Sequence, residues 1–346
     1  MDRAEATFCA ITERLYSPTR HLFGRRSLLF TRTYEDLWPF ANAWSAACTL
    51  ASLNRSPSLD SILSTPFDGL AAYHRSHSAA FSSSGPLGFE SVVVPPLSTG
   101  GDTFFDDNAW LGLALLCHHD VTGDGRALSL AIRLFAFLRS GWSTAGSWIK
   151  PGGVRWKQPV SNTSRNTCSN GPTAELAALL CERTGDTAAR EWSIRTYEWV
   201  RDALLSPDGL YFDRITPDGT VSKEIWSYNQ GTMIGTGVLL HRLTGERIYL
   251  EQAGLTATAA VARFGIPELL GQDAAFNAIF FRNLLLLDEA APDPGYRELA
   301  AQYADAMWQQ RRDPRSGLFA GRASPLNDSA PLVEIYGLVA GARPHP

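Results

Sequence analysis

The sequence predicts an all-α fold: an (α/α)6 barrel, or toroid, of about twelve helices in six hairpins, with short strands in the long-loop face. Three observations predict it. A tripeptide recurs at near-constant spacing, each copy lies between an apolar and an amphipathic helix, and one leftover helix at each chain end completes the count. The tripeptide is Thr-Gly-Asp/Glu, at Thr122-Gly123-Asp124, 62 residues on at Thr184-Gly185-Asp186, and a further 60 on at Thr244-Gly245-Glu246. A Gly just past the last periodic residue stops a helix, and the acid after it suits the positive end of the next. LGLALLCHH, AELAALLCER and GTGVLLHRL precede the turns; they are apolar nearly all round and call for burial on every side. RALSLAIRLFAFL, AAREWSIRTYEWV and RIYLEQAGLTATAAV follow them, each with one apolar stripe, as an outer layer requires.

The same unit extends over the chain. Residues Tyr34–Asn54 and Leu59–Ala79 form an earlier pair around Ser56-Pro57. Residues Asp273–Ala291 and Gly295–Arg312 form a later one around Pro292-Asp293-Pro294. Ala4–Tyr16 and Ser329–Gly341 then pair chain start with chain end, which favours a closed ring over an open solenoid. Residues 1–346 are read as one catalytic domain. A second repeat, Pro18 to Gly24, Pro207 to Phe212 and Pro314 to Phe319, puts turn residues before a short aromatic run after three outer helices. These are the expected strands or hairpins. Long loops at one mouth and tight turns at the other place a binding site at the long-loop mouth.

Composition narrows the function. With 31 Lys+Arg against 35 Asp+Glu the formal net charge is −4, which argues against nucleic acid as a partner. Hydrophobic residues make up 45% and charged residues 19%, beside 10 Trp, 17 Phe and 10 Tyr, so the aromatics are either core or lining. Five scattered Cys without CxxC spacing form neither a disulfide framework nor a zinc site; Cys48, Cys117 and Cys181 are read as small buried hydrophobes. No metal or cofactor is called for, since no HExxH, GxGxxG or P-loop is present. His118, His119 and His241, just before the turns, are read as helix C-terminal cations. No apolar run is long enough for a membrane span. No signal-peptide pattern opens the chain, so the reading is cytoplasmic, or secreted if the chain as given has lost a leader.

The inner helices begin with polar or aromatic residues before turning apolar: Tyr34 to Trp38, Asp106 to Trp110, Ser169 to Gly171, Ser227 to Gln230 and Asp273 to Asn277. In a closed toroid these starts converge on one cavity. The sharpest is Thr103-Phe104-Phe105-Asp106-Asp107-Asn108-Ala109-Trp110. A helix N-terminus stabilises one carboxylate, while burial and a charged neighbour raise the other, giving the ionised and protonated pair that retaining glycoside hydrolysis requires. The alternative is plain capping, with Asp106 the N-cap and Asp107 a first-turn acid. Gly152-Gly153-Val154-Arg155-Trp156-Lys157 offers an aromatic platform and a cation, or a Trp that packs its loop on the barrel. Tyr228-Asn229-Gln230 supplies donors and acceptors, or caps. Trp38, Trp110 and Phe276 line the cavity or belong to the core; Arg282, on an apolar helix, needs a partner.

FFDDNAWLGLALL, GGVRWK with NTCSNGPTAELAALL, YFDRI and IWSYNQGTMIGTGVLL resemble glycoside hydrolase family 76, in order from about Tyr34 to Ala323. The resemblance implies an (α/α)6 barrel and endo-α-1,6-mannanase-like activity on α-mannan or manno-oligosaccharides, with Asp106 as nucleophile and Asp107 as acid/base. It places Trp156, Lys157, Asn170, Tyr228, Asn229 and Gln230 near the sugar. The chain departs from the family at Phe276-Asn277-Ala278-Ile279-Phe280, where many members carry a Lys. Rival readings are a transglycosylase, another α-glycoside-acting enzyme or a sugar epimerase on the same barrel, and a catalytically silent carbohydrate-binding toroid. Oligomeric state is not legible.

Overall fold

The computed structural model describes residues 3–25, 33–53, 57–82, 84–143, 146, 148–158 and 164–341. In chain order its helices are α1 (Arg3–Leu15), α2 (Leu37–Leu53), α3 (Pro57–Ser64), α4 (Pro66–Leu70), α5 (Phe105–Thr122), α6 (Gly125–Ser140), α7 (Thr167–Thr184), α8 (Thr187–Leu204), α9 (Ser227–Thr244), α10 (Arg247–Arg263), α11 (Ile266–Leu270), α12 (Ala274–Ala290), α13 (Pro294–Gln310) and α14 (Pro325–Val339). Helices α2, α5, α7, α9, α12 and α14 each pack on the next, and α14 packs on α2, so the inner ring closes. Around it α6, α8 and α10 pack on α5, α7 and α9, α13 packs on α12 and α14, and α1 packs on α14. The (α/α)6 barrel is therefore the fold, and α1 and α14, the first and last helices, meet as expected.

The three repeated turns behave alike at their glycines. Gly123, Gly185 and Gly245 take φ of 74°, 71° and 76°, the left-handed stop that only Gly adopts without strain. Asp124 and Asp186 then cap the following helices, each accepting a backbone N–H at 2.9 Å from Arg126 and Ala188. Glu246, one methylene longer, makes no such cap. His118 departs from the cationic reading. It is buried, burial pushes its pKa down to about 4, and Trp44 donates its indole N–H to His118 Nδ1 at 3.1 Å. It is a neutral acceptor.

One outer position is broken. The helix expected over Leu59–Ala79 divides into α3, α4 and two 3-10 turns, Ala71–Tyr73 and His77–Ser82. Pro66 ends α3: Thr65 before it leaves the helical region at φ −119°, and the proline, lacking an N–H, starts α4. Ser56 of the expected Ser56-Pro57 turn lies outside the described residues. Tyr34, expected to open an inner helix, instead pairs with Gly24 as part of β3 (Thr33–Tyr34), next to β1 (Tyr16–Ser17) and β2 (Leu22–Arg25). A second small sheet joins β4 (Arg165–Asn166), β5 (Arg214–Ile215) and β6 (Val221–Ser222), with the Asp218-Gly219 turn between the last two.

A repeated polar device ties these long connections to the ring. Four residues past the N-terminal cap of α5, Asn108 donates to Phe104 O at 2.7 Å and Phe89 O at 3.0 Å, and accepts from Phe89 N at 2.7 Å. Asn170 does the same in α7, to Asn166 O and Val154 O at 2.9 Å and from Val154 N at 2.6 Å. Gln230 repeats it in α9, to Trp226 O and Tyr211 O at 3.0 Å and from Tyr211 N at 2.7 Å. Asp328 in α14 accepts from Gly321 N and Ala323 N. Each side chain satisfies backbone groups that a buried loop would otherwise leave unpaired. The glycine after Gln230 has its own reason: a Cβ on Gly231 would lie 2.7 Å from the Phe280 backbone, so α9 and α12 touch there.

Inside the ring Arg282 finds its partner, Glu334, at 3.0 Å, both side chains less than a tenth exposed. Glu175 faces the same guanidinium. Burial pushes its pKa up to about 7, and Arg282 offsets only part of that. A carboxyl that holds its proton more tightly when folded contributes stability below its ordinary value of 4.5 and loses it as pH rises through about 7. Glu175→Gln is therefore expected to gain on wild type by on the order of 3 kcal/mol between pH 5 and pH 8. Urea unfolding at both pH values checks this; a constant difference contradicts it.

Candidate active site

The N-terminal ends of the inner helices open into a groove of about 1590 Å³ at the long-loop mouth. Asp106 and Asp107 lie on its floor, in the first turn of α5, where free N–H groups favour negative charge. The cap is Phe104, so neither acid is spent on capping. Asp106 Oδ1 accepts from the Asp107 backbone N–H at 3.1 Å. Its Oδ2 accepts from the Trp156 indole N–H at 2.9 Å and the Cys168 thiol at 3.4 Å.

These surroundings separate the two acids. Burial pushes Asp106 up to about 6, and the three donors hold it from going higher. Burial also raises Asp107, and the charges of Asp106 and then Asp36 drive it well above the usual carboxylate range. As pH rises Asp106 loses its proton first, leaving a carboxylate beside a carboxylic acid. The arrangement can attack an electrophilic carbon with one group and protonate a departing oxygen with the other. An enzyme working through this pair is expected to gain activity as Asp106 ionises and to lose it as Asp107 does. Asp36→Asn removes a negative neighbour, so the alkaline limb of kcat/KM is expected to move to lower pH while the acid limb holds. An unmoved alkaline limb would remove Asp36 from this account.

Of the residues expected in the groove, Trp38, Trp110, Trp156, Tyr228 and Phe276 line it with the acid pair. Tyr228 and Phe276 stack face to face, centroids 4.0 Å apart and planes within 8°. Trp38 and Trp226 meet Phe276 at 5.7 and 5.8 Å, and Trp110 meets Tyr228 at 6.4 Å, giving a continuous aromatic wall. Four expected contacts lie elsewhere. Asn170 and Gln230 are the loop clamps described above, buried and fully committed to backbone. Asn229 is fully buried and turned to Asp213. Lys157 pairs with Asp102, its ammonium 5.3 Å from the Phe104 ring.

Several lining residues were not singled out from sequence. Asp36 belongs to a polar helix start and Asp213 to the YFDRI element, so both carried a signal. Asp213 pairs with Arg214 at 2.6 Å. Cys168 carried none, since a buried thiol reads as a small hydrophobe whether or not it touches an acid. Among the described residues no group of three or more His, Cys, Asp or Glu is placed to hold a metal ion, and no helix is long and apolar enough to cross a membrane.

Ring, acid pair and aromatic wall together have the layout of the toroidal glycoside hydrolases. The chain belongs to glycosyl hydrolase family 76, whose profile matches residues 20–321. A mannan endo-1,6-α-mannosidase of Candida glabrata is 30% identical over 154 residues, 41% of this chain and 30% of that protein. Its Saccharomyces cerevisiae counterpart is 28% identical over 169 residues, 44% and 37% of the two chains. The chain thus spans about a third of the length of these curated relatives. A family 76 mannosidase from Bacteroides thetaiotaomicron superposes over 98% of this chain and 97% of its own, with a TM-score of 0.82 at 22% identity. An α-1,6-mannanase from Salegentibacter does so over 98% of both chains, at 0.77 and 24%.

Proposed function

We propose that the protein is a retaining glycoside hydrolase that cleaves α-1,6-linked mannose in mannan or manno-oligosaccharides, with Asp106 as nucleophile and Asp107 as acid/base. The observation that carries the reading is a pair of adjacent buried carboxyl groups in the groove, one hydrogen-bonded by Trp156, Cys168 and the Asp107 N–H, the other kept protonated by burial and then by two negative neighbours. Asp107 protonates the glycosidic oxygen as Asp106 attacks the anomeric carbon; Asp107, now a base, then draws a proton from water that releases the sugar. Retaining pairs stand about 5–5.5 Å apart, a gap that neighbouring residues on one turn reach. The groove exceeds the roughly 300–1,000 Å³ of an ordinary small-molecule pocket, which suits a chain of sugars along its aromatic wall.

The relatives support the substrate. The curated ones are mannan endo-1,6-α-mannosidases, and a Salegentibacter α-1,6-mannanase variant with two consecutive Asp replaced by Asn is inactive and forms a complex with α-1,6-mannotriose. Incubation with linear α-1,6-mannan tests the reading: new reducing ends are expected. Calorimetric binding with no reducing-end release would instead make the chain a silent carbohydrate-binding toroid, and longer products would make it a transglycosylase.

A further inference from the structure

We propose that Trp156 and Cys168 are positioning residues that clamp the nucleophile, so that the indole N–H of Trp156 serves Asp106 in addition to any stacking by its ring. The proposal rests on Asp106 being the nucleophile. Both donors reach the same oxygen, Oδ2, and neither comes from the helix that carries Asp106: Trp156 lies on the Gly-rich loop and Cys168 in the first turn of α7. The loop is locked to α5 itself, because Trp156 O accepts from Phe105 N at 2.9 Å while Trp156 N donates to Ser164 O at 3.0 Å. The Phe104 ring meets the indole at 5.0 Å and 62°, fixing its plane. Cys168 is buried, with its thiol turned to the groove beside Tyr228.

Such a clamp has work to do here. The ionisable groups around Asp106 are Asp107 on its own helix, Tyr228 from α9, Asp213 beyond Cys168, and Asp36 acting on Asp107. Among the described residues the cations of the groove are Arg214, paired with Asp213, and Arg322, which donates to Gly271 O, and the hydrogen bonds that favour the Asp106 carboxylate all come from neutral donors. A hydrogen bond to a charged group is among the stronger ones and also fixes the rotamer that points the free lone pairs into the groove. The indole N–H at 2.9 Å is the major donor; a thiol is a weak one. The Gly-rich loop, pinned by Asn170 and packed on Trp199 at Gly153, holds the major donor in place.

Trp156→Phe separates this role from stacking, since it keeps an aromatic face and removes the N–H. On a linear α-1,6-manno-oligosaccharide kcat is expected to fall about tenfold or more with KM within about twofold, and the acid limb to rise by about half a pH unit or more. Cys168→Ala moves the limb the same way by less, and Cys168→Ser, which restores a hydroxyl donor, returns it toward wild type. A Trp156→Phe enzyme with unchanged kcat and limb, or with its loss confined to KM, overturns the clamp. Carboxyl-carbon NMR titration of Asp106, assigned by its loss in Asp106→Asn, reads the same shift without turnover. A wild type that leaves mannan intact therefore sinks the activity while the titration still decides the clamp. Should Trp156→Phe fail to fold, the Cys168 pair decides it: equal titration in Ala and Ser variants is the contrary result.

Discussion

Replacing either Asp106 or Asp107 by Asn is expected to lower turnover of linear α-1,6-mannan by about a thousandfold or more. Both acids pay a burial penalty, which hydrogen-bond donors partly offset at Asp106 and the charges of Asp106 and Asp36 add to at Asp107. An amide of the same shape removes that penalty, so neither variant is expected to unfold at a lower temperature than wild type. The two differ in one respect. An aryl mannoside, whose leaving group needs no proton, should restore the first chemical step in Asp107→Asn but not in Asp106→Asn. Comparable activity on that substrate in both variants would contradict the assigned roles.

Arg282→Met is expected to carry the largest stability loss, about 3–5 kcal/mol at neutral pH. Its guanidinium sits in the closed ring within 3.0 Å of Glu334 and faces Glu175. Without it two buried acids keep no countercharge, and each must protonate or stay desolvated. Lowering the pH supplies those protons, so the loss should shrink toward pH 5. Urea unfolding at pH 7.5 and pH 5 measures both; a loss below about 1 kcal/mol at pH 7.5 would show that the cluster is not held by its arginine.

The helical ring was legible because its signals are local. Gly123, Gly185 and Gly245 each mark a left-handed stop, and the apolar runs before them mark the buried layer. The broken outer position was less so, although Pro66 stood in the sequence as the residue that divides it. The acid pair was legible as a pattern, and so were the aromatics that line the groove. Asn170 and Gln230 were misplaced because a buried amide at a helix start reads the same whether it faces a sugar or a backbone carbonyl. Asn108, in the same position on α5, shows what distinguishes them: all three bond the residue four before and a distant loop. Sequence shows the first partner and not the second. Cys168 and the indole N–H of Trp156 meet Asp106 from two separate segments, a contact no spacing along the chain encodes.

The two-step displacement through Asp106 is tested most directly by NMR of the first product formed from an α-1,6-manno-oligosaccharide, before mutarotation. The account predicts the α anomer at the new reducing end, since two inversions at one carbon restore the starting configuration. Initial release of the β anomer would mean single displacement by water, and Asp106 would then be no nucleophile.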